Sequence, residues 1–247
     1  NPHHLFENAF YEGRRPILTN GLVWMGNYDE MSKRIDEKLD NGFRCIKLKI
    51  GSIDFDSELS LLKKIRNRYG PSILEIRVDA NGAFGYDEAL VKLNRLSSFH
   101  LHSIEQPIPT GQWEKMGDLC KKSPVPIALD EELIGINNIS IKSSLLDTIH
   151  PHYLVLKPSL HGGMFGCNEW IELAACRNIP FWITSALESN IGLNAIAGWC
   201  YEQISNPAFT HLLSNVAFQG LGTGLLYVEN YERTQLSLEG DCLYGKP

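Results

Sequence analysis

Strand-like and helix-like stretches alternate along almost the whole chain, and no other feature of the sequence limits its fold as tightly. "ILTNGLVWM" (17–25) is strand-like. "DEMSKRIDEKLDNG" follows, with Met31, Ile35 and Leu39 four apart and Gly42 as a stop, the mark of an amphipathic helix. The pair recurs as "CIKLKIG" (45–51) then "DFDSELSLLKKIRNRYG", with Leu59, Leu62 and Ile65 on one face, and as "EIRVDAN" then "YDEALVKLNRLSSF". "SIEQPI" leads to a short helix over 112–122 and "PIALDEEL" to one over 138–147. "YLVLKPS" leads to one over 164–177 and "PFWITSAL" to one over 191–204, with a last strand between 212 and 221. Near-continuous apolar strands separated by helices imply a parallel sheet covered on both faces. Close to eight such units, about 25–30 residues each, predict an α/β fold closed into a (β/α)-barrel. The rival, an open doubly wound sheet, carries a Gly-rich phosphate turn after its first strand. "WMGNYDE" is no such turn, and "QGLGTG" (219–224) has no clear helix or acidic ribose contact after it.

Composition narrows the partners. The 247 residues are 43% hydrophobic and 21% charged, enough for one large core. A net charge of -6 argues against nucleic acid or an anionic membrane as the main partner. No apolar run reaches the roughly 18 residues of a membrane helix, and no signal peptide is visible. The six cysteines (Cys45, Cys120, Cys167, Cys176, Cys200, Cys242) show no C-x-x-C spacing and read as reduced thiols in a cytoplasmic protein. Asn1, not Met, opens the sequence, so the chain is read as a piece of something longer.

Polar residues recur at one place in each unit, the C-terminal end of the strand. These are Lys49, Asp79, Glu105, Asp130, Lys157 and Ser185 in turn. In a barrel all such ends meet at one rim, where active sites sit. Asp79, Glu105 and Asp130 are spaced by about 25 residues, one unit each, so they come from adjacent strands and converge. Three carboxylates at one point repel one another unless a cation joins them, and an all-oxygen set favours Mg²⁺, with Mn²⁺ as the substitute. Lys47 and Lys49 alternate with apolar neighbours and share a strand face, which turns them into the same mouth. A lysine beside a divalent ion and a second amine gives up its proton more readily and becomes a usable base. A small-molecule carboxylate with an acidifiable α-hydrogen is the matching substrate, since a cation stabilises the charge left when that proton goes.

Taken in order, "KLKIG", "RVDANGAF", "SIEQPI", "ALDEEL", "VLKPSLHGG" and "ITSALESNIGLNAIAGW" resemble the enolase superfamily, in its muconate-lactonizing subgroup. "NGLVWMG" and "QGLGTGLLY" resemble the o-succinylbenzoate synthase family within it. The resemblance implies a modified (β/α)7β barrel and a lyase of the menaquinone pathway. Such an enzyme dehydrates a succinyl-hydroxycyclohexadiene carboxylate to an aromatic ring, through α-proton abstraction and an enediolate. It implies Asp79, Glu105 and Asp130 as ligands of Mg²⁺, Lys49 as the base, and Lys157 as the cation that stabilises the enediolate. Lys47 would hold the substrate carboxylate, and Arg77 and Asn81, on the strand face of Asp79, would position substrate or support the ligands. Ser185 and Gly222 would line the pocket. Glu131 should point away from its neighbour Asp130 by strand alternation.

Family members begin with an α+β capping domain that closes the barrel mouth, and it is absent here. Residues 1–16 are accordingly read as a linker from that domain, 17–230 as the barrel, and 231–247 as a tail that packs on the missing domain. Oligomers are compatible with all of this. Racemisation of N-acyl amino acids or epimerisation of dipeptides uses the same site and is the nearest alternative. A dipeptide epimerase should show an acid near the last strand, where "GLGTG" has none. A Schiff-base aldolase could use Lys157 but has no purpose for the acids. A metal-dependent amidohydrolase needs His-x-His at a strand's C-terminal end, whereas "HLH" (100–102) and "HPH" (150–152) precede strands and read as structural. His161 reads as a solvated loop residue. Trp113, Trp170, Trp182 and Trp199 read as core.

Overall fold

The computed structural model describes residues 5–222 and 236–245. They form two compact units, one of Gly21–Val155, the other of the described residues up to Asn20 and from Leu156 onward. A two-residue strand, β1 (Ile17–Leu18), precedes the first unit.

Within Gly21–Val155, strands and helices alternate as β2 (Gly21–Val23), α1 (Tyr28–Asp40), β3 (Cys45–Lys49), α2 (Phe55–Arg68), β4 (Glu75–Asp79) and α3 (Tyr86–Ser97). Then come β5 (Ser103–Glu105), α4 (Trp113–Lys122), β6 (Ile127–Leu129), a 3-10 turn over Glu131–Leu133, α5 (Ile139–Ile149) and β7 (Tyr153–Leu156). Neighbouring strands pair in parallel and in chain order from β2 to β7. Local chemistry accounts for the helix starts. Asn27 Oδ1 accepts from Glu30 N at 3.0 Å and Glu30 Oε2 accepts from Asn27 N at 3.0 Å, a reciprocal cap on α1. Asp54 accepts from Ser57 N at 3.0 Å at the head of α2. The buried face of α2 carries Leu61, Leu62 and Ile65, with Leu59 only half-buried, one step round from the expected stripe.

Register is what the site inherits. Lys47 lies opposite Arg77, and Arg77 opposite Ser103; one layer on, Lys49 lies opposite Asp79, and Asp79 opposite Glu105. At the other end of the strands the histidines are structural. His102 N donates to Ile76 O at 2.9 Å, His152 N donates to Ile127 O at 3.0 Å, and Ile127 N donates back to His152 Nδ1 at 3.1 Å.

Helices α4 and α5 approach so closely that backbone meets backbone at Gly117. A Cβ there would stand 2.7 Å from Thr148 O and 3.4 Å from Ile149 Cα. Overpacking of this kind costs about 1–3 kcal/mol, so Gly117→Ala is expected to lower Tm by roughly 2–10 °C. A thermal melt checks it, and an unchanged Tm would show that the two helices separate freely.

In the second unit, α6 (Gly163–Ala175), β8 (Phe181–Ile183) and α7 (Asn190–Ser205) follow β7, and the chain closes with β9 (Leu236–Glu239) and β10 (Cys242–Gly245). Gln219 and Gly220 supply the expected last strand as a parallel bridge, Gln219 beside Thr19 and Gly220 beside Thr184. "ILTNGLVWM" is not one strand. Ile17–Leu18 pairs antiparallel with β10, which pairs with β9, while Gly21–Val23 joins the parallel sheet. Asp241 O takes the Thr19 N–H at 2.8 Å, and Gln219 O takes that of Asn20 at 2.8 Å, where the chain changes sheets.

The described part of the segment read as a linker packs on α7. Phe10 and Tyr11 are buried, Tyr11 Oη donates to Asn194 O at 2.8 Å, and Asn8 Nδ2 donates to Glu202 Oε1 at 2.7 Å. Residues 236–245 of the tail form the β9–β10 hairpin, and 223–235, including the end of "QGLGTGLLY", lie outside the described residues. Trp170, Trp182 and Trp199 are core, whereas Trp113 is half-buried. All six cysteines are free thiols. Among the described residues no helix is long and apolar enough to cross a membrane.

Candidate active site

Strands β3, β4 and β5 end in register at Lys49, Asp79 and Glu105, and Asp130 follows β6 directly. Each of Asp79, Glu105 and Asp130 offers a carboxylate oxygen, and these oxygens lie within 4.8 Å of one another, all on fully buried residues. Lys47, one layer below and 6% exposed, reaches up to Asp79 Oδ2 at 3.0 Å and to Glu105 Oε2. Lys49 Nζ donates to Asp79 Oδ2 at 2.6 Å and to Asn81 Oδ1 at 2.9 Å, and stands 5.9 Å from the Trp24 ring centroid.

Three acids thus share two lysine side chains, and the imbalance shows in the protonation of Lys47, Asp79 and Glu105. For Lys47, burial works against the charge, but Asp79, Glu105 and Asp130 outweigh it and hold the ammonium above the ordinary lysine range. For Asp79, burial works against the carboxylate, but Lys47 and Lys49 outweigh it and hold the group far below the usual range. Glu105 goes the other way. Burial, with repulsion from Asp79 and Asp130 added, overcomes Lys47 and pushes its carboxyl up to about 8.

The donor set fits a hard divalent cation. All three ligand groups are oxygens. Glu105 Oε1 is buried with no hydrogen-bond partner, a position that costs about 1–3 kcal/mol unless something electropositive meets it. A buried acidic trio that could hold a metal is therefore in place. Because ligands must shed their protons and Glu105 ionises only near 8 without metal, binding at neutral pH should release close to one proton. The sign follows: affinity for Mg²⁺ rises as pH climbs toward 8 and weakens by up to about tenfold per unit below it. Calorimetric titration in buffers of different ionisation enthalpy measures the proton count, and zero release at pH 7 would contradict the raised Glu105.

Other expected residues divide. Asn81 is in the site, its backbone in the left-handed region (φ 45°), its N–H donating to Asp79 Oδ1 at 3.0 Å. Arg77 is 1% exposed, and its Nε donates at 2.7 Å to Glu75 Oε1. Glu75 begins β4 while Asp79 ends it, so that contact ties Arg77 to the layer beneath the carboxylates. Glu131 does not turn away. Its Oε1 accepts from Asn81 Nδ2 at 2.7 Å. The expectation failed because β6 stops at Leu129 and Glu131 opens a 3-10 turn, where strand alternation no longer applies. Trp24, its ring centroid 5.9 Å from Lys49 Nζ, is the residue that sequence reasoning passed over, and it carried no periodic signal.

Lys157, Ser185 and Gly222 belong to the second unit. Lys157 follows β7, and its backbone N–H donates to His161 Nδ1 at 3.0 Å. His161 is fully buried rather than solvated, because its ring turns back to cap that strand end. Ser185 N and Oγ both donate to Gly220 O, at 3.1 and 3.3 Å. At Gly222 a Cβ would stand 3.2 Å from Asn20 O.

Comparison with known proteins places this geometry. The chain is 52% identical over 238 residues to o-succinylbenzoate synthase from Desulfotalea psychrophila, which covers 96% of this chain and 61% of that protein. The crystal structure of MenC from Desulfotalea psychrophila LSv54 superposes with a TM-score of 0.84 at 50% identity, over 97% of this chain and 63% of that one. The L-Ala-D/L-Glu epimerase from Bacillus subtilis superposes with a TM-score of 0.80 at 19% identity over 96% of this chain and 62% of that one, a likeness of fold alone. The chain thus spans about three fifths of the length of these relatives. A family model described as enolase C-terminal domain-like matches residues 30–227, and the chain belongs to that family.

Proposed function

We propose that this chain is the barrel of an o-succinylbenzoate synthase, a dehydratase of menaquinone biosynthesis working in the cytoplasm. The observation that carries the proposal is the contact of Lys49 Nζ with Asp79, inside a trio of buried acids that suits one divalent ion. The 52% identity to a protein of that name supports the substrate. Mg²⁺, held by Asp79, Glu105 and Asp130, would neutralise the negative charge that builds on the substrate carboxylate. Lys47 stays protonated among its acids, so it serves as a fixed cation for that carboxylate and not as the base. Lys49 takes the α-proton: the C–H bond breaks and its electron pair moves onto the carboxylate as an enediolate. The pair then returns to form a ring double bond as the ring C–O bond breaks, the hydroxyl leaves as water with the proton that Lys49 had taken, and the ring becomes aromatic. The family pattern assigns Lys157 the role of second cation, and Ser185 and Gly222 the pocket lining. A capping domain elsewhere in the polypeptide would exclude water and select the substrate.

Turnover of the succinyl-hydroxycyclohexadiene carboxylate, followed spectrally with Mg²⁺ and with a chelator, tests the proposal. Aromatic product that appears only with the ion is expected. Product that persists under chelation, or none in either case, would overturn it. Epimerase and racemase names among relatives at 23–29% identity favour a second activity at the same site. Exchange of the α-proton of N-acyl amino acids in heavy water reads that activity separately.

A further inference from the structure

We propose that Glu131 is a positioning residue for Lys49, acting through the side-chain amide of Asn81. The inference rests on the reading of Lys49 as the base and adds a residue to it. Three hydrogen bonds form the relay. Asn81 Nδ2 donates to Glu131 Oε1 at 2.7 Å, Asn81 Oδ1 accepts from Lys49 Nζ at 2.9 Å, and Asn81 N donates to Asp79 Oδ1 at 3.0 Å. The last bond, with the left-handed backbone at Asn81, fixes where the amide stands. It does not fix which way round the amide faces. An amide presents an oxygen on one side and an N–H₂ on the other.

The neighbours decide the direction. A carboxylate only accepts, so Glu131 takes the Nδ2 side. That leaves Oδ1 for Lys49, which has hydrogens to donate. The reverse orientation would set oxygen against carboxylate at Glu131 and N–H against N–H at Lys49.

Direction matters because a neutral amine has two hydrogens and one lone pair. Asp79 Oδ2 and Asn81 Oδ1 take both hydrogens. The lone pair is then turned away from both acceptors, ready for a proton from substrate. With the amide reversed, Nδ2 would compete for that lone pair and occupy it. Glu131 therefore aims the base without touching substrate, and an acid placed one residue after a ligand gains a role that strand alternation would have denied it.

Glu131→Gln tests the relay, because glutamine keeps the shape but can also donate, and so no longer dictates the amide's direction. In the intact protein, kcat for dehydration should fall about tenfold, with KM, Mg²⁺ affinity and Tm within twofold or a few degrees of the parent. In an Asn81→Ala background the same change should add less than a twofold loss, since the intermediary is gone. A readout independent of turnover is trace acylation of lysines in the metal-free protein by acetic anhydride, quantified by mass spectrometry. The rate at Lys49, relative to exposed lysines, should change at least threefold in Glu131→Gln and by as much in Asn81→Ala.

Losses that multiply in the double variant would overturn the relay and give Glu131 an independent task. So would unchanged labelling of Lys49, or a fall in Mg²⁺ affinity that matches the fall in kcat. If the parent turns over none of the substrate, the reaction assigned above fails, while the labelling comparison still decides whether Glu131 governs Lys49.

Discussion

Lys49→Ala is expected to lower kcat for dehydration by about 10²–10⁴-fold, the usual loss when a positioned general base is removed. KM and metal affinity should stay near those of the parent. Lys49 touches Asp79 through Oδ2, yet the carboxylates converge through strand register and not through that lysine. Lys47 cannot take over. It is held protonated one layer below, between Asp79 and Glu105. Lys49→Arg should fail as badly as alanine, because a guanidinium does not give up its proton. Charge alone at this position is thus separated from basicity. Steady-state kinetics on the three proteins check it, and a loss below tenfold in Lys49→Arg would remove the base from Lys49.

The second large effect is Glu105→Gln. It should weaken Mg²⁺ binding by about 10²-fold or more, beyond the 10–100-fold cost of losing an outer-shell partner, and turnover should fall with it. Stability should barely move. Without metal the Glu105 carboxyl ionises only near 8, so at pH 7 it is mostly the neutral acid. Glutamine has the same shape and charge as that acid, and its oxygen can still accept from Lys47. Tm of the metal-free protein at pH 7 should therefore stay within about 2 °C, in contrast to the several degrees that loss of a buried charge pair would produce. A collapse in Tm would mean that Glu105 is ionised without metal and holds the fold through Lys47.

Much of this site could be read in the sequence because it rests on the regularities of a parallel sheet. Cys45–Leu48 is buried along its length, as expected of a strand covered on both faces, so apolar runs marked the strands. One unit per strand then carried the spacing of Asp79, Glu105 and Asp130 into space. The failures come where that regularity stops. Glu131 lies past the end of β6, in a 3-10 turn. Ile17–Leu18 and Gly21–Val23 belong to one strand-like stretch in sequence, and pairing with residues more than 190 positions later divides them. Nothing local in "NPHHLFENAFYEGRRP" announces that Phe10 and Tyr11 are core, since the surface that buries them is α7. His161 looked like a loop residue for the same reason. Its partner, the Lys157 backbone, became visible only with the turn between them.

Equilibrium dialysis with Mn²⁺ as a countable substitute tests the shared ion most directly. One ion per chain is expected in the parent at pH 8, with binding lost in Asp79→Asn, Glu105→Gln and Asp130→Asn alike. A parent that binds no ion, or an ion that survives the removal of any one of the three carboxylates, would contradict it.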